Sequence, residues 1–122
     1  MFDFIQEVQE WNDVRGNYGY SVELEEAMLE EELNEYKEAV DNEDRVGQAD
    51  ALADILVVAV GSLYKLCGND KIKMNDILLA VTAANNTKSS TKNSAGKITK
   101  PDNFVGPERM IAKILLEEMY VQ

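Results

Sequence analysis

Asp50 and Asp54 stand one helical turn apart at the head of the most apolar run in the chain, Ile55 to Gly61. Their helix face continues through Ala51, Ile55, Val57 and Val58, where an ionised carboxylate is expensive unless something compensates its charge. Aspartate is also a weak helix former away from a helix N-terminus. From Ile55 to Val60 the helix is apolar all round, which predicts burial on every side, in a bundle centre or at a subunit interface. The fold must therefore place two acids on its most apolar helix and answer their charge.

The rest of the chain is helical in pattern. Phe4, Ile5, Val8, Trp11 and Arg15 fall at steps of three and four, predicting a first helix over about residues 2–15. Gly16 to Tyr20 reads as a loop, and Ser21 as the N-cap of a second helix running to about residue 41. Leu29, Leu33, Tyr36 and Val40 mark its apolar stripe, while Glu23, Glu25 and Glu26 suit the positive end of its dipole. Residues 41–44 make a short turn with Asn42 as a cap, and the third helix runs from near 44 to Gly68, a natural C′ residue. Asn75 and Asp76 cap a fourth helix ending near Asn86; a polar loop covers Thr87 to Gly106. Pro107 opens a final helix whose face is Ile111, Ile114, Leu115 and Met119. No segment shows convincing strand alternation. The predicted fold is all-α, one domain over residues 1–122, an up-and-down bundle with two long central helices, shorter helices and a long polar loop.

Charge narrows the chemistry. The 122 residues hold 12 basic and 23 acidic side chains, a net charge of −11, and no histidine. That removes Ser-His-Asp and Cys-His triads and any histidine-ligated zinc or haem. Residues 1–54 carry 17 acids and 3 bases, whereas residues 55–122 carry 6 acids and 9 bases. Bulk acidity argues against duplex nucleic acid as a partner, but not against a small phosphorylated ligand held through bridging metal ions. The single cysteine, Cys67, reads as a buried thiol in a reducing compartment. Met1 to Phe4 lacks the basic start and apolar stretch of a signal peptide, and the longest apolar run is about a third of a membrane span. The expectation is a soluble cytoplasmic protein without a membrane partner.

Helix two carries Glu30, Glu31, Glu32, Glu35 and Glu38. Glu32 borders the apolar stripe, with Glu31 and Glu35 one turn apart beside it. Alone, such a row is a solvated face whose i,i+4 repulsion costs a few tenths of a kcal/mol per pair. A short turn makes helices two and three antiparallel, which brings Glu31, Glu32 and Glu35 opposite Asp50 and Asp54. Four or five converging carboxylates cannot all stay ionised without a cation. Oxygen-only ligands select Mg²⁺ or Mn²⁺ over zinc. Between Asp76 and Asp102 the chain has no acid but holds Lys88, Lys92, Lys97 and Lys100, either an electrostatic lid over an anion or a flexible solvated loop. Gly96-Lys97 lacks the spacing and the preceding strand of a Walker loop.

Glu31-Glu32-Leu33-Asn34-Glu35 followed by Asp50-Ala51-Leu52-Ala53-Asp54 resembles the motif E-E-x-x-E, then E-x-x-D, of the all-α nucleoside triphosphate pyrophosphohydrolases. That superfamily includes MazG-like enzymes, dimeric dUTP pyrophosphatases and phosphoribosyl-ATP pyrophosphohydrolase. The glutamate of E-x-x-D falls here on Ala51, with Asp50 one position earlier as its substitute. A second block, Asn85-Asn86-Thr87-Lys88, Gly96 to Lys100 and Phe104 to Pro107, resembles N-x-[ST]-K, G-K-x-x-K and F-x-x-P elements of the phosphoribosyl-ATP pyrophosphohydrolase-like branch.

The resemblance implies Mg²⁺-dependent cleavage between the α and β phosphates of a nucleoside triphosphate, releasing a monophosphate and pyrophosphate. Glu31, Glu32, Glu35, Asp50 and Asp54 would hold metal, and Glu31 or Glu32 would orient or deprotonate a water. Lys88, Lys97 and Lys100 would take the leaving pyrophosphate's charge, Asn85 a phosphate, sugar or base edge, and Phe104 would stack or anchor the loop. It also implies a homodimer or homotetramer with sites at subunit contacts. Phosphoribosyl-ATP is an alternative substrate. A catalytically silent nucleotide-binding regulator is a second reading, prompted by Ala51, and an acidic helical DNA mimic a third.

Overall fold

Side-chain caps decide where the helices begin. Residues 1–116 are described by the structure, a computed structural model, and they form α1 (Phe4–Val14), α2 (Val22–Asp41), α3 (Arg45–Leu66), α4 (Lys71–Asn85) and α5 (Glu108–Leu115). The described residues contain no strand, only an isolated antiparallel bridge between Lys92 and Ile98. The chain belongs to the all-α class that its periodicity predicts.

Asp3 Oδ1 accepts from the Gln6 N–H at 3.1 Å to start α1, and Ser21 Oγ accepts from the Leu24 N–H at 3.4 Å to start α2. Asp44, not Asn42, caps α3: its Oδ1 accepts from the Gly47 N–H at 2.9 Å, while Asn42 is the C-cap of α2. The helix four start predicted at Asn75-Asp76 is also corrected. Helix α4 begins at Lys71, directly after Asp70, an aspartate standing where an N-cap is wanted. Pro107 occupies the N-cap position of α5 and not its first turn. Of the face predicted for that helix, Met119 lies outside the described residues.

Two helices end in the same six-residue turn. At the end of α3, the Gly68 N–H donates to Lys65 O and the Asn69 N–H to Tyr64 O, both at 2.9 Å, with Gly68 at φ +67°. At the end of α2, the Glu43 N–H donates to Val40 O at 3.1 Å and the Asp44 N–H to Ala39 O at 2.9 Å. There the left-handed position is filled by Glu43 at φ +53°, which a side chain adopts only with strain.

The chain divides into two compact units, Met1–Lys71 and a second from Ile72 onward. In the first, α2 and α3 pack as an antiparallel hairpin with Ala39 and Ala51 buried in its seam. Gly47 belongs to that seam. A Cβ there would stand 2.9 Å from Asp44 Cγ and 3.2 Å from Ala39 Cβ, so only glycine lets the cap and the facing helix coexist. Helix α1 packs on α3, where the Tyr64 hydroxyl donates to Asp13 Oδ1 at 2.8 Å. Burial, and then that bond to a carboxylate, push the Tyr64 hydroxyl up to about 12.

A buried ion pair ties the open end of the hairpin. Glu25 and Lys65 are 2% and 5% exposed, and their charged groups meet directly. Ser62 Oγ donates to Glu25 Oε1 at 3.2 Å, and the Ser21 N–H to Oε2 at 3.4 Å. Glu25, read in the sequence as a partner of the helix dipole, is one of the most deeply buried side chains described. The run from Ile55 to Val60 behaves in the opposite way: Leu56 is 57% exposed and Val57 42%, so the all-round burial predicted for it is not met among the described residues.

The second unit holds α4, a folded loop and α5. Residues 89–99 form a tight hairpin-like turn in which Asn93 Oδ1 accepts from the N–H groups of Ala95 and Lys97 at 2.9 and 3.0 Å. Gly96, at φ +83°, supplies the left-handed residue that the turn requires.

Two stability outcomes follow, both read by denaturant unfolding. Lys65→Met alone is expected to cost about 3–5 kcal/mol by stranding the Glu25 charge, whereas Glu25→Leu with Lys65→Met recovers most of that loss. Glu43→Gly is expected to stabilise the protein by about 1 kcal/mol.

Candidate metal centre

The hairpin register determines which acids meet. On α2, Glu32 and Glu35 are three residues apart and share a face; on α3, Asp54 comes opposite them. One carboxylate oxygen from each of Glu32, Glu35 and Asp54 lies within 4.8 Å of the others. Glu32 and Asp54 are half-buried and Glu35 is exposed, so the cluster opens to solvent on one side. Glu31 and Asp50 fall outside this set. Glu31 is near enough for its charge to act on Glu32. Asp50, with Glu35, Glu38, Asn42, Asp44 and Gly47, lines a neighbouring cavity of about 220 Å³.

Glu32 is the strained member. Its Oε2 is shielded from solvent and has no hydrogen-bond partner among the described residues. Desolvation, then hydrogen bonding and repulsion from Glu35, then the charges of Asp54 and Glu31, push its carboxyl up to about 7. An orphaned acceptor beside two further carboxylates is a concentration of negative charge that a bound cation relieves, and its all-oxygen donor set suits a hard ion. Ala51, where the motif wants glutamate, is 3% exposed in the α2–α3 seam. Asp50 beside it is exposed.

In the second unit the structure gathers three of the five predicted substrate residues. Lys88 Nζ stands 5.9 Å and Lys100 Nζ 5.2 Å from the centre of the Phe104 ring, so one half-buried ring carries two ammonium groups. Lys97 sits exposed in the Asn93–Lys97 turn, and Asn85 is the exposed last residue of α4. The pair that sequence reasoning missed is Glu25–Lys65. Its one sequence signal is a lysine inside the otherwise apolar end of helix three.

The raised carboxyl makes stability depend on pH. A folded-state value near 7 against an ordinary 4.5 means that folding takes up a proton between those limits. The stabilising contribution is complete below about pH 4.5 and disappears as pH rises through 7. In chelator-treated protein, the stability advantage of wild type over Glu32→Gln is therefore expected to shrink from pH 4.5 to pH 8; a flat difference contradicts the assignment.

A comparison with curated proteins finds no match. The phosphoribosyl-ATP pyrophosphohydrolase family matches residues 5–85, which span α1 to α4 and contain Glu32, Glu35 and Asp54. The Lys88 to Pro107 block lies beyond the matched residues. The acids at the head of the apolar helix, the all-helical fold and this match over most of the chain agree: the protein belongs to the phosphoribosyl-ATP pyrophosphohydrolase family, within the MazG-like all-α pyrophosphohydrolase superfamily.

Proposed function

We propose that this pyrophosphohydrolase is a Mg²⁺-dependent nucleoside triphosphate pyrophosphohydrolase that cuts between the α and β phosphates, yielding a nucleoside monophosphate and pyrophosphate. The observation that carries the reading is the Glu32–Glu35–Asp54 cluster with its orphaned Glu32 oxygen, inside the residues the family matches. Glu32, Glu35 and Asp54 would hold Mg²⁺, or Mn²⁺ in its place, with Asp50 and Glu31 at the edge of the set. When bound, the ion neutralises phosphate charge and makes water a stronger nucleophile.

The chain's own residues divide the remaining work. Glu31 is exposed, outside the three-oxygen set and adjacent to it, and so is free to take the water's proton; Glu32 is the other candidate base. Lys88 and Lys100, held at the Phe104 ring, and Lys97 would stabilise the leaving pyrophosphate, with Asn85 contacting substrate. Phosphoribosyl-ATP is the second substrate reading, favoured by the description of the matched family.

Exposed Leu29 and Leu33 on α2, with Leu52, Leu56 and Val57 on α3, leave the central hairpin with uncovered apolar surface. We read that surface as the contact of a homodimer or homotetramer. By length and composition α3 could cross a membrane. Its packing on α2, its two aspartates and its ion-paired Lys65 instead suit the core helix of a cytoplasmic protein.

The test is pyrophosphate release from a panel of ribo- and deoxyribonucleoside triphosphates and phosphoribosyl-ATP with Mg²⁺. Asp54→Asn is expected to reduce turnover on the order of 100-fold or more and to weaken Mg²⁺ binding. Glu31→Gln is expected to lose turnover while keeping Mg²⁺ affinity, the signature of a base and not a ligand. Wild-type protein that binds Mg²⁺ and turns over none of these substrates would be a silent binding module. Leu56→Glu is expected to lower the oligomeric state measured by light scattering; an unchanged mass removes α3 from the interface.

A further inference from the structure

The second unit contains a cavity of about 520 Å³ that the carboxylate chemistry does not use. Its volume falls in the range of small-ligand pockets. Ala80, Ala83 and Ala84 recur at helical spacing on one face of α4, and their methyl side chains leave the space between α4 and the facing wall open. Val105, Gly106 and Pro107 form that wall, and Met110 of α5 adds a flexible apolar side chain. Arg109 and Lys113, one turn apart on the exposed face of α5, also line it, and neither has an ion pair among the described residues. A slot with apolar walls and two cations complements a flat heterocycle that carries an anionic group.

The polar content of the cavity is equally specific. Among the described residues, Thr87 is the one neutral side chain with an oxygen or nitrogen atom in the lining. Its hydroxyl proton is already committed, since Oγ1 donates to Ala84 O at 2.6 Å. The lining side chains therefore offer a base no neutral hydrogen-bond donor. We infer that this cavity binds the nucleoside part of a nucleotide, with Arg109 and Lys113 taking its phosphate, and that it reads the base mainly by shape, since Thr87 Oγ1 leaves a base edge one neutral side-chain acceptor and no neutral side-chain donor. The ligand class rests on the pyrophosphohydrolase reading; the cavity and its cations do not. An apolar pocket discriminates between similar groups by roughly 10- to 200-fold, far less than a site built to pair with one base edge.

The experiment measures binding of AMP, GMP, CMP and UMP, and of uncharged adenosine, to the full chain by calorimetry in EDTA, so that the carboxylate cluster contributes nothing through metal. All four monophosphates are expected to bind within about tenfold of one another, and adenosine about tenfold more weakly than AMP. Ala83→Leu, at an exposed helix position that tolerates leucine, is expected to weaken AMP by at least about tenfold by filling the slot. Arg109→Ala with Lys113→Ala, both on the surface, is expected to weaken AMP but leave adenosine unchanged, which covers the case in which Ala83→Leu fails to fold. The inference is overturned by absence of monophosphate binding, by binding indifferent to either variant, or by one base exceeding the others about 100-fold. Turnover of triphosphates without AMP binding in EDTA sinks the pocket alone. AMP binding without turnover of any nucleotide sinks the hydrolase reading and leaves the pocket standing.

Discussion

Glu32, Glu35 and Asp54 repel one another at separations under 4.8 Å, and the α2–α3 hairpin is what holds them there. The hairpin can do so because its two helices are locked at both ends. At the turn, Gly47 lets the Asp44 cap and Ala39 share one narrow space, and Ala51 continues the close seam. At the open end, Glu25 meets Lys65 and Ser62 out of contact with water. Between these two fastenings the register has no freedom, so the acids of the middle turns must face each other. The repulsion is stored where it can be used, in a Glu32 carboxyl pushed up to about 7 with one oxygen unpartnered. A cation relieves that repulsion; without one, a proton does so in part.

The same seam contains position 51, where the resembled motif has glutamate and this chain has alanine. A glutamate at position 51 would have to enter the buried contact between α2 and α3, where alanine is 3% exposed. Asp50, one position earlier, is exposed and lines the cavity shared with Glu35, Glu38 and Asp44. Among the described residues the tight cluster holds three acids, Glu32, Glu35 and Asp54.

Much of the hairpin was legible before any coordinates. The stripe Leu29–Leu33–Tyr36–Val40, the Ser21 cap and the Gly68 stop all rest on local rules, and α2 and α3 keep those limits within a residue or two. Glu32 as the acid bordering the apolar stripe followed from helical angles alone. Three things were not legible, each for a reason of tertiary origin. Glu25 differs from Glu23 and Glu26 only by facing Lys65 from another helix, which no local pattern records. The start of α4 at Lys71 depends on how tightly the Gly68–Asn69 turn closes α3. The Ile55–Val60 run signals a need for burial, yet Leu56 and Val57 within it stay exposed. In the polar loop, the charge of Lys88 and Lys100 was visible, whereas their convergence on Phe104 depends on the fold of residues 88–104.

The central claim is that the α2–α3 carboxylates are a divalent-cation site whose charge a proton on Glu32 partly neutralises when no cation is bound. The direct measurement is calorimetric titration of the full chain with Mn²⁺ at pH 6 and pH 8.5, repeated in buffers of different ionisation enthalpy to count protons released. Saturable binding that expels about one proton at pH 6 and almost none at pH 8.5, with the release absent in Glu32→Gln, is the predicted result. Binding without proton release at either pH, or release unchanged in Glu32→Gln, would contradict it.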